Sequence, residues 1–189
     1  MWKKTLWKDY LYEGRIRRID YPSILKFVYE WKSECPGKVV SNMGGWQSHC
    51  YLNSGRKCNE LDKVISIINK KFKYRHIKFG KKLIISELWI NINANGSYNT
   101  VHDHLGGPFL SGVLYLNARN DMGNIIFAKT HNIRFLYQTS EDKKMYISEH
   151  TPHTGKMLIF SASLPHFVET NNSLEDRVSL SFNLSYQNI

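Results

Sequence analysis

The sequence predicts a mainly β protein, a C-terminal β-jelly roll buttressed by two N-terminal helices. Three observations carry this expectation. From Leu83 onward apolar residues recur with a period of two, as on a strand with one buried face. Turn-forming groups such as Asn95-Gly96, Gly106-Gly107-Pro108 and Thr154-Gly155 cut that stretch into short segments. Before Leu83, two segments carry helical spacing instead. Many short strands at near-regular intervals indicate a sandwich or a jelly roll.

Taken in order, residues 5–19 alternate loosely and predict a strand or hairpin. Pro22 suits the first position of a helix, with Ile24, Val28 and Trp31 on one face and Pro36-Gly37 as the stop. Ser41 to Ser48 contains Gly44-Gly45 and reads as a loop. Asn59 is a candidate cap for a second helix, in which Leu61, Val64, Ile65, Ile68 and Phe72 share one side. Extended segments follow at about 83–93, 98–104, 109–117, 123–128, 131–137, 145–149 with 155–161, 164–170 and 176–186. The 189 residues show no repeat or linker, so a single domain is expected. Within it, 1–82 would be a helical extension and 83–189 the β core.

Composition narrows the class. A chain 42% hydrophobic and 22% charged is neither disordered nor collagen-like. No apolar run approaches the roughly 20 residues that a membrane helix needs. Met1 to Asp9 is basic but lacks the apolar core of a signal peptide. Cys35, Cys50 and Cys58 are odd in number and lack metal-ligand spacing, which predicts buried thiols in a reducing compartment. A cytoplasmic location with no membrane partner is the expectation. The net charge of +10 is unevenly spread: residues 1–82 hold 19 Lys and Arg against 7 Asp and Glu, whereas 83–189 hold 7 against 9. A lysine-rich solvated surface accounts for this, and a nucleic-acid partner is not expected.

The candidate chemistry lies in the β half. His102 and His104 are two apart on one predicted strand, so both side chains face the same way. One strand can give a metal two ligands at that spacing. His166 follows Pro165 near the start of a later strand. Eleven residues on, Arg177, Ser179, Ser181 and Asn183 alternate with Val178, Leu180, Phe182 and Leu184. An arginine among hydroxyls on an inward face predicts anion binding, because its fork matches a carboxylate. His49, His76, His131, His150 and His153 show no partner pattern and read as ordinary histidines.

The ordered set His102-x-His104, Ser111-Gly-Val-Leu-Tyr-Leu-Asn117, Pro165-His166 and Arg177-x-Ser179 resembles the 2-oxoglutarate- and iron(II)-dependent dioxygenase superfamily. More narrowly it is similar to the oxygenases common in phage and marine bacterial genomes. Those carry Ser-Asn-x-Gly-Gly-aromatic-Gln-Ser, matched by Ser41 to Ser48, and Trp-x-Asn-x-Asn, matched by Trp89, Asn91 and Asn93. The resemblance implies a double-stranded β-helix, cupin-like, holding Fe(II) by a facial triad, with 2-oxoglutarate and O2 as co-substrates. By position, His102, His104 and His166 would be the metal ligands. Arg177 would pair with the distal carboxylate of 2-oxoglutarate, assisted by Ser179 and by the hydroxyl of Tyr115, and Asn93 would line the same pocket. The superfamily usually has a carboxylate where His104 stands. Strand alternation aims Asp103 away from the metal, although a bulge would turn it inward.

The implied reaction is hydroxylation of a substrate with release of succinate and CO2, a peptide or protein side chain being preferred by family association. Nucleic-acid demethylation by the same chemistry is disfavoured, because the second arginine of that branch is replaced by Asn183. A metal-binding or sugar-binding jelly roll without redox catalysis would leave Arg177 and Ser179 without a ligand. Trp46, Trp89 and Tyr98 are candidate pocket aromatics.

Overall fold

The computed structural model describes residues 9–73, 81–129 and 147–188. The predicted strand at 131–137, His76 and His131 lie outside them. Eleven strands and two helices are described. The first strand, β1 (Leu11–Arg15), leads into helix α1 (Tyr21–Glu34). Asp20 caps α1, its carboxylate accepting the Ser23 backbone N–H at 3.1 Å and the Ser23 hydroxyl at 2.6 Å. Pro22 therefore sits one position inside the helix, where a missing N–H still costs nothing. Helix α2 (Asn59–Lys73) begins one residue early, with Asn59 inside it rather than capping it, and the Cys58 carbonyl accepts the Asp62 N–H at 3.0 Å.

Between the helices, Ser41 to Ser48 is a pair of short strands rather than a loop. β2 (Asn42–Met43) and β3 (Trp46–Gln47) join different sheets. The chain crosses between them at Gly44-Gly45. Asn42 stitches this crossing, its amide donating to Lys38 O at 3.1 Å and Gly45 O at 2.8 Å. Gly45 packs so closely on β4 (Lys81–Asn93) that a Cβ would stand 2.9 Å from Ile92 O.

The remaining strands are β5 (Tyr98–His102), β6 (Leu110–Asn117), β7 (Ile125–Ala128), β8 (Ile147–His150), β9 (Lys156–Ser161), β10 (His166–Val168) and β11 (Arg177–Asn188). Among the described residues they form two antiparallel sheets. The larger has the order β1-β9-β6-β11-β4-β3, the smaller β2-β5-β10-β7-β8. Facing antiparallel sheets of this order are the double-stranded β-helix that the sequence predicted. The front part of the chain contributes β1, β2 and β3 to it as well as the two helices.

The core lies between the larger sheet and the helices. Ile24, Val28 and Trp31 of α1 and Leu61, Val64, Ile68 and Phe72 of α2 pack on Leu88, Ile90, Ile92, Val178, Leu180 and Phe182. Each such side chain contributes roughly 1.5–3 kcal/mol on burial. Alternation sends the intervening residues of β4 and β11 to the opposite face. Opposite Ser86 the β4–β11 register slips by one residue, so the odd-numbered Leu83 and Ile85 join the same core as Leu88. The three cysteines are free thiols, half-buried rather than buried. No described helix is long and apolar enough to cross a membrane.

Candidate metal centre and its cavity

The face of β4, β6 and β11 turned away from the helices looks across to the smaller sheet. Glu87, Trp89, Asn91 and Asn93 of β4 stand beside Asn183, Ser181, Ser179 and Arg177 of β11, paired in register. Together with Tyr115 they line a cavity of about 370 Å³ between the sheets. The three predicted histidines close its other side.

His102, His104 and His166 place one ring nitrogen each within 4.8 Å of one another. Two of the three are set by strand pairing: His102 and His166 are Cα partners across β5 and β10. The third is placed otherwise. β5 ends at His102, and His104 is held beyond it by its backbone N–H, which donates to Ala162 O at 2.8 Å. The shared side predicted from strand alternation is thus met without a strand. Asp103 is occupied locally: its Oδ1 accepts the Leu105 N–H at 3.0 Å and tightens the turn into Gly106-Gly107. His104, not Asp103, belongs to the cluster of possible metal ligands.

Tautomers follow from the carbonyls nearby. His102 Nδ1 lies 2.7 Å from Thr100 O, and His166 Nδ1 lies 2.9 Å from Leu164 O. A carbonyl only accepts, so Nδ1 donates in both rings and Nε2 carries the lone pair. Burial lowers the His104 pKa to about 4, with the neighbouring His102 second. Burial likewise pushes His166 well below its ordinary value. Neutral imidazoles with Nε2 lone pairs are the form that binds a divalent metal. The rings are braced: Trp89 stacks on His104 at 5.8 Å, and Phe160 packs edge-on to His166 at 4.8 Å.

Arg177 is 2% exposed and lies at the far end of the same cavity. The sequence left it without an evident local partner, yet the fold supplies three. Nη1 donates to the carbonyls of Met122, Gly123 (3.1 Å) and Glu169 (3.2 Å). Gly123 makes this cradle possible, with φ of 80° and no room for a Cβ, which would stand 2.4 Å from Glu169 O. Burial lowers the guanidinium pKa to about 10, with Tyr115 and Glu169 opposing, so it stays charged at neutral pH. Nη2 is buried with no partner. A charged donor held rigid on one side and orphaned on the other fits an acceptor-only anion such as a carboxylate. The Tyr115 hydroxyl is buried beside it and kept protonated, burial raising its pKa.

The other predicted residues divide. Ser179 and Asn93 line the cavity, and Asn93 Nδ2 donates to Asn99 Oδ1 at 3.1 Å. Trp89 lines it too. Trp46 instead packs edge-on against Trp31 in the helix-side core and donates to Cys35 O, while Tyr98 is 40% exposed on the outer face. His150 lies against Glu13 and Ser148 in a separate surface contact. Sequence reasoning missed Asn171, which is fully buried and donates to Asn93 O and Glu175 O, both at 2.8 Å. It ties the end of β4 to the approach to Arg177. The signal was present in the turn-like Asn171-Asn172-Ser173, whose Asn171 Oδ1 accepts the Ser173 N–H at 3.0 Å.

The jelly-roll fold and the three-histidine cluster together define a cupin-like protein with a candidate metal site. Residues 87–183, just over half the chain, match the family described as "Putative 2OG-Fe(II) oxygenase". The chain belongs to this family of oxygenases, which depend on Fe(II), 2-oxoglutarate and O2. Solved structures agree on the fold. A Pseudomonas putida prolyl-4-hydroxylase is similar at TM-score 0.63 and 14% identity, over 93% of this chain and 91% of that one. The α-ketoglutarate-dependent epimerase SnoN from nogalamycin biosynthesis is similar at TM-score 0.62 and 13% identity, over 94% and 77%. HygX from Streptomyces hygroscopicus, solved with nickel, 2-oxoglutarate and hygromycin B, is similar at TM-score 0.60 and 10% identity, over 94% and 82%. No curated protein matches the chain.

Proposed function

We propose that this oxygenase hydroxylates a peptide or protein side chain, using Fe(II) held by His102, His104 and His166. One observation carries the reading: the orphaned Nη2 of Arg177 shares a cavity with three converging imidazoles. The donor set suits Fe(II), whose family sites keep positions open beside the protein ligands. Three neutral ligands leave the ion's charge to be balanced by a doubly ionised 2-oxo acid. When bound, iron and 2-oxoglutarate supply the oxidative decarboxylation that yields succinate and CO2 and puts one oxygen atom into a substrate C–H bond.

The chain's residues do the rest. Arg177 receives the distal carboxylate through Nη2, while the carbonyls of Met122, Gly123 and Glu169 hold its other arm still. Tyr115 presents a protonated hydroxyl, and Ser179 a second donor, to the same group. Ile125, Phe160 and Val168 line the cavity and keep water from the reacting centre. The preference for a peptide over a small molecule rests on family association; the likeness to a prolyl-4-hydroxylase at 14% identity is one of fold.

The test is an anaerobic Fe(II) titration with 2-oxoglutarate, followed by an aerobic succinate assay against a peptide pool. A mass gain of one oxygen in a peptide is expected. Binding of iron without any response to 2-oxoglutarate would favour a non-redox metal-binding module.

A further inference from the structure

The cavity is small for what it would hold. Its volume of about 370 Å³ must take a metal ion and a five-carbon diacid, which leaves room for one substrate side chain. On the oxygenase reading above, the rest of a polypeptide substrate lies outside, across the opening. Whatever borders that opening then meets the residues beside the modified one.

Two exposed apolar residues border it. Val40 lines the cavity yet is 67% exposed, so it stands on the rim. Leu105 is 71% exposed and lines an outer cleft with Glu87 and His104, both of which also line the cavity. Single apolar residues on a surface are ordinary. These two are set apart by how firmly the backbone beneath them is tied. The Val40 N–H donates to Asn42 Oδ1 at 2.8 Å, and the buried Asn42 amide donates in turn to Lys38 O at 3.1 Å and Gly45 O at 2.8 Å. The carbonyl between them, Ser41 O, accepts the Thr100 N–H at 2.9 Å. The Leu105 N–H donates to Asp103 Oδ1 at 3.0 Å. On either side of it the His104 N–H is tied to Ala162 O and the Phe109 N–H to Leu184 O, each at 2.8 Å. A valine and a leucine held out to water at the edge of a cavity gain by meeting apolar surface. Segments already ordered on folding lose little further freedom on binding.

We propose that Val40 and Leu105 seat two apolar side chains of one polypeptide, on either side of the residue that enters the cavity. The proposal rests on the oxygenase reading and names its substrate class, a polypeptide with apolar residues flanking the modified one. Val40 and Leu105 set specificity; neither side chain offers a donor atom to the metal or to 2-oxoglutarate.

The test uses the anaerobic Fe(II) protein saturated with 2-oxoglutarate. The probes are two blocked pentapeptide pools randomised at the central position, one with leucine and one with serine at both ends, and alanine between. Peptide retained with the protein on ultrafiltration is measured by mass spectrometry. About tenfold greater retention of the leucine-ended pool is expected, the scale of burying such a side chain. Val40→Ser and Leu105→Ser should each remove most of that preference. Val39→Ser is the control, since Val39 is 84% exposed and next in sequence but does not line the cavity. All three variants should keep the parent's thermal unfolding and its affinity for 2-oxoglutarate. Retention of neither pool, equal retention of both, or an equal loss in Val39→Ser and Val40→Ser overturns the proposal. Self-association of the parent that Val40→Ser abolishes, read by sedimentation, would make the rim a contact between copies and overturn it too. The oxygenase reading is judged separately, by whether the Fe(II) protein binds 2-oxoglutarate.

Discussion

His102 and His166 are Cα partners across the β5–β10 ladder, and their ring centroids stand 4.3 Å apart. Two imidazolium ions at that separation would repel strongly in a buried site. Coordination to one cation would resolve the crowding. Replacing either residue with Ala should reduce iron stoichiometry from one per chain to well under one tenth, measured anaerobically at micromolar protein. Full retention of iron in His166→Ala would remove the triad from consideration.

The same measurement separates His104 from Asp103. Because Asp103 Oδ1 is engaged with the Leu105 N–H, Asp103→Ala should keep its iron and lose a turn contact, about 0.5–1.5 kcal/mol of stability. His104→Ala should lose the iron. The opposite pair of results would mean that the turn after β5 rearranges on metal binding.

Arg177→Met keeps length and apolar volume, so the fold and the iron should survive. Binding of 2-oxoglutarate, read from the absorption band of the anaerobic complex, should weaken by about 1.5–3 kcal/mol, the range of a charge-assisted hydrogen bond. An unchanged dissociation constant in a folded, iron-replete variant would place the anchor elsewhere.

Gly112 tests the packing that positions these strands. It lies on the helix-side face of β6, where a Cβ would stand 2.4 Å from Phe182 Cζ and 3.0 Å from Leu158 O. Phe182 is fully buried and cannot swing away. Gly112→Ala should therefore destabilise the protein by about 1–3 kcal/mol in urea unfolding. A variant as stable as the parent would show that this core has slack.

Tyr51 predicts an alkaline effect. Burial is the largest influence, the Cys58 backbone opposes it, and the Asp62 carboxylate that accepts its hydroxyl at 3.0 Å adds to it; the pKa rises to about 12. The unfolded chain releases this proton near pH 10, before the folded one does, so stability falls as pH rises from about 10 to 12. Tyr51→Phe should be less stable below pH 10, through the lost hydrogen bonds, but should decline less steeply above it. Parallel stability curves for the two proteins over that window would contradict the assignment.

Much of the fold was legible because period-two and period-3.6 patterns are local. Val178, Leu180, Phe182 and Leu184 announced a buried face, and Ile24, Val28 and Trp31 announced a helix, from spacing alone. Residue types at short spacing also pointed to the histidines and to Arg177 with Ser179. What spacing could not reveal was contact between distant segments. β2 and β3 were hidden as strands because each is two residues long and takes its hydrogen bonds from different sheets.

The sequence by itself determined which residues could bind a metal and an anion, since that follows from donor atoms and from alternation along single strands. Tertiary structure alone decided how they act. The carbonyls cradling Arg177 come from 54 or 55 residues earlier and from 8 residues earlier, and only chain crossing brings them together. That His104 rather than Asp103 joins the histidine cluster comes from a turn hydrogen bond and from Ala162 across the sheet. Asn91 Oδ1 lies buried without a partner among the described residues because the facing sheets, not its own strand, enclose it.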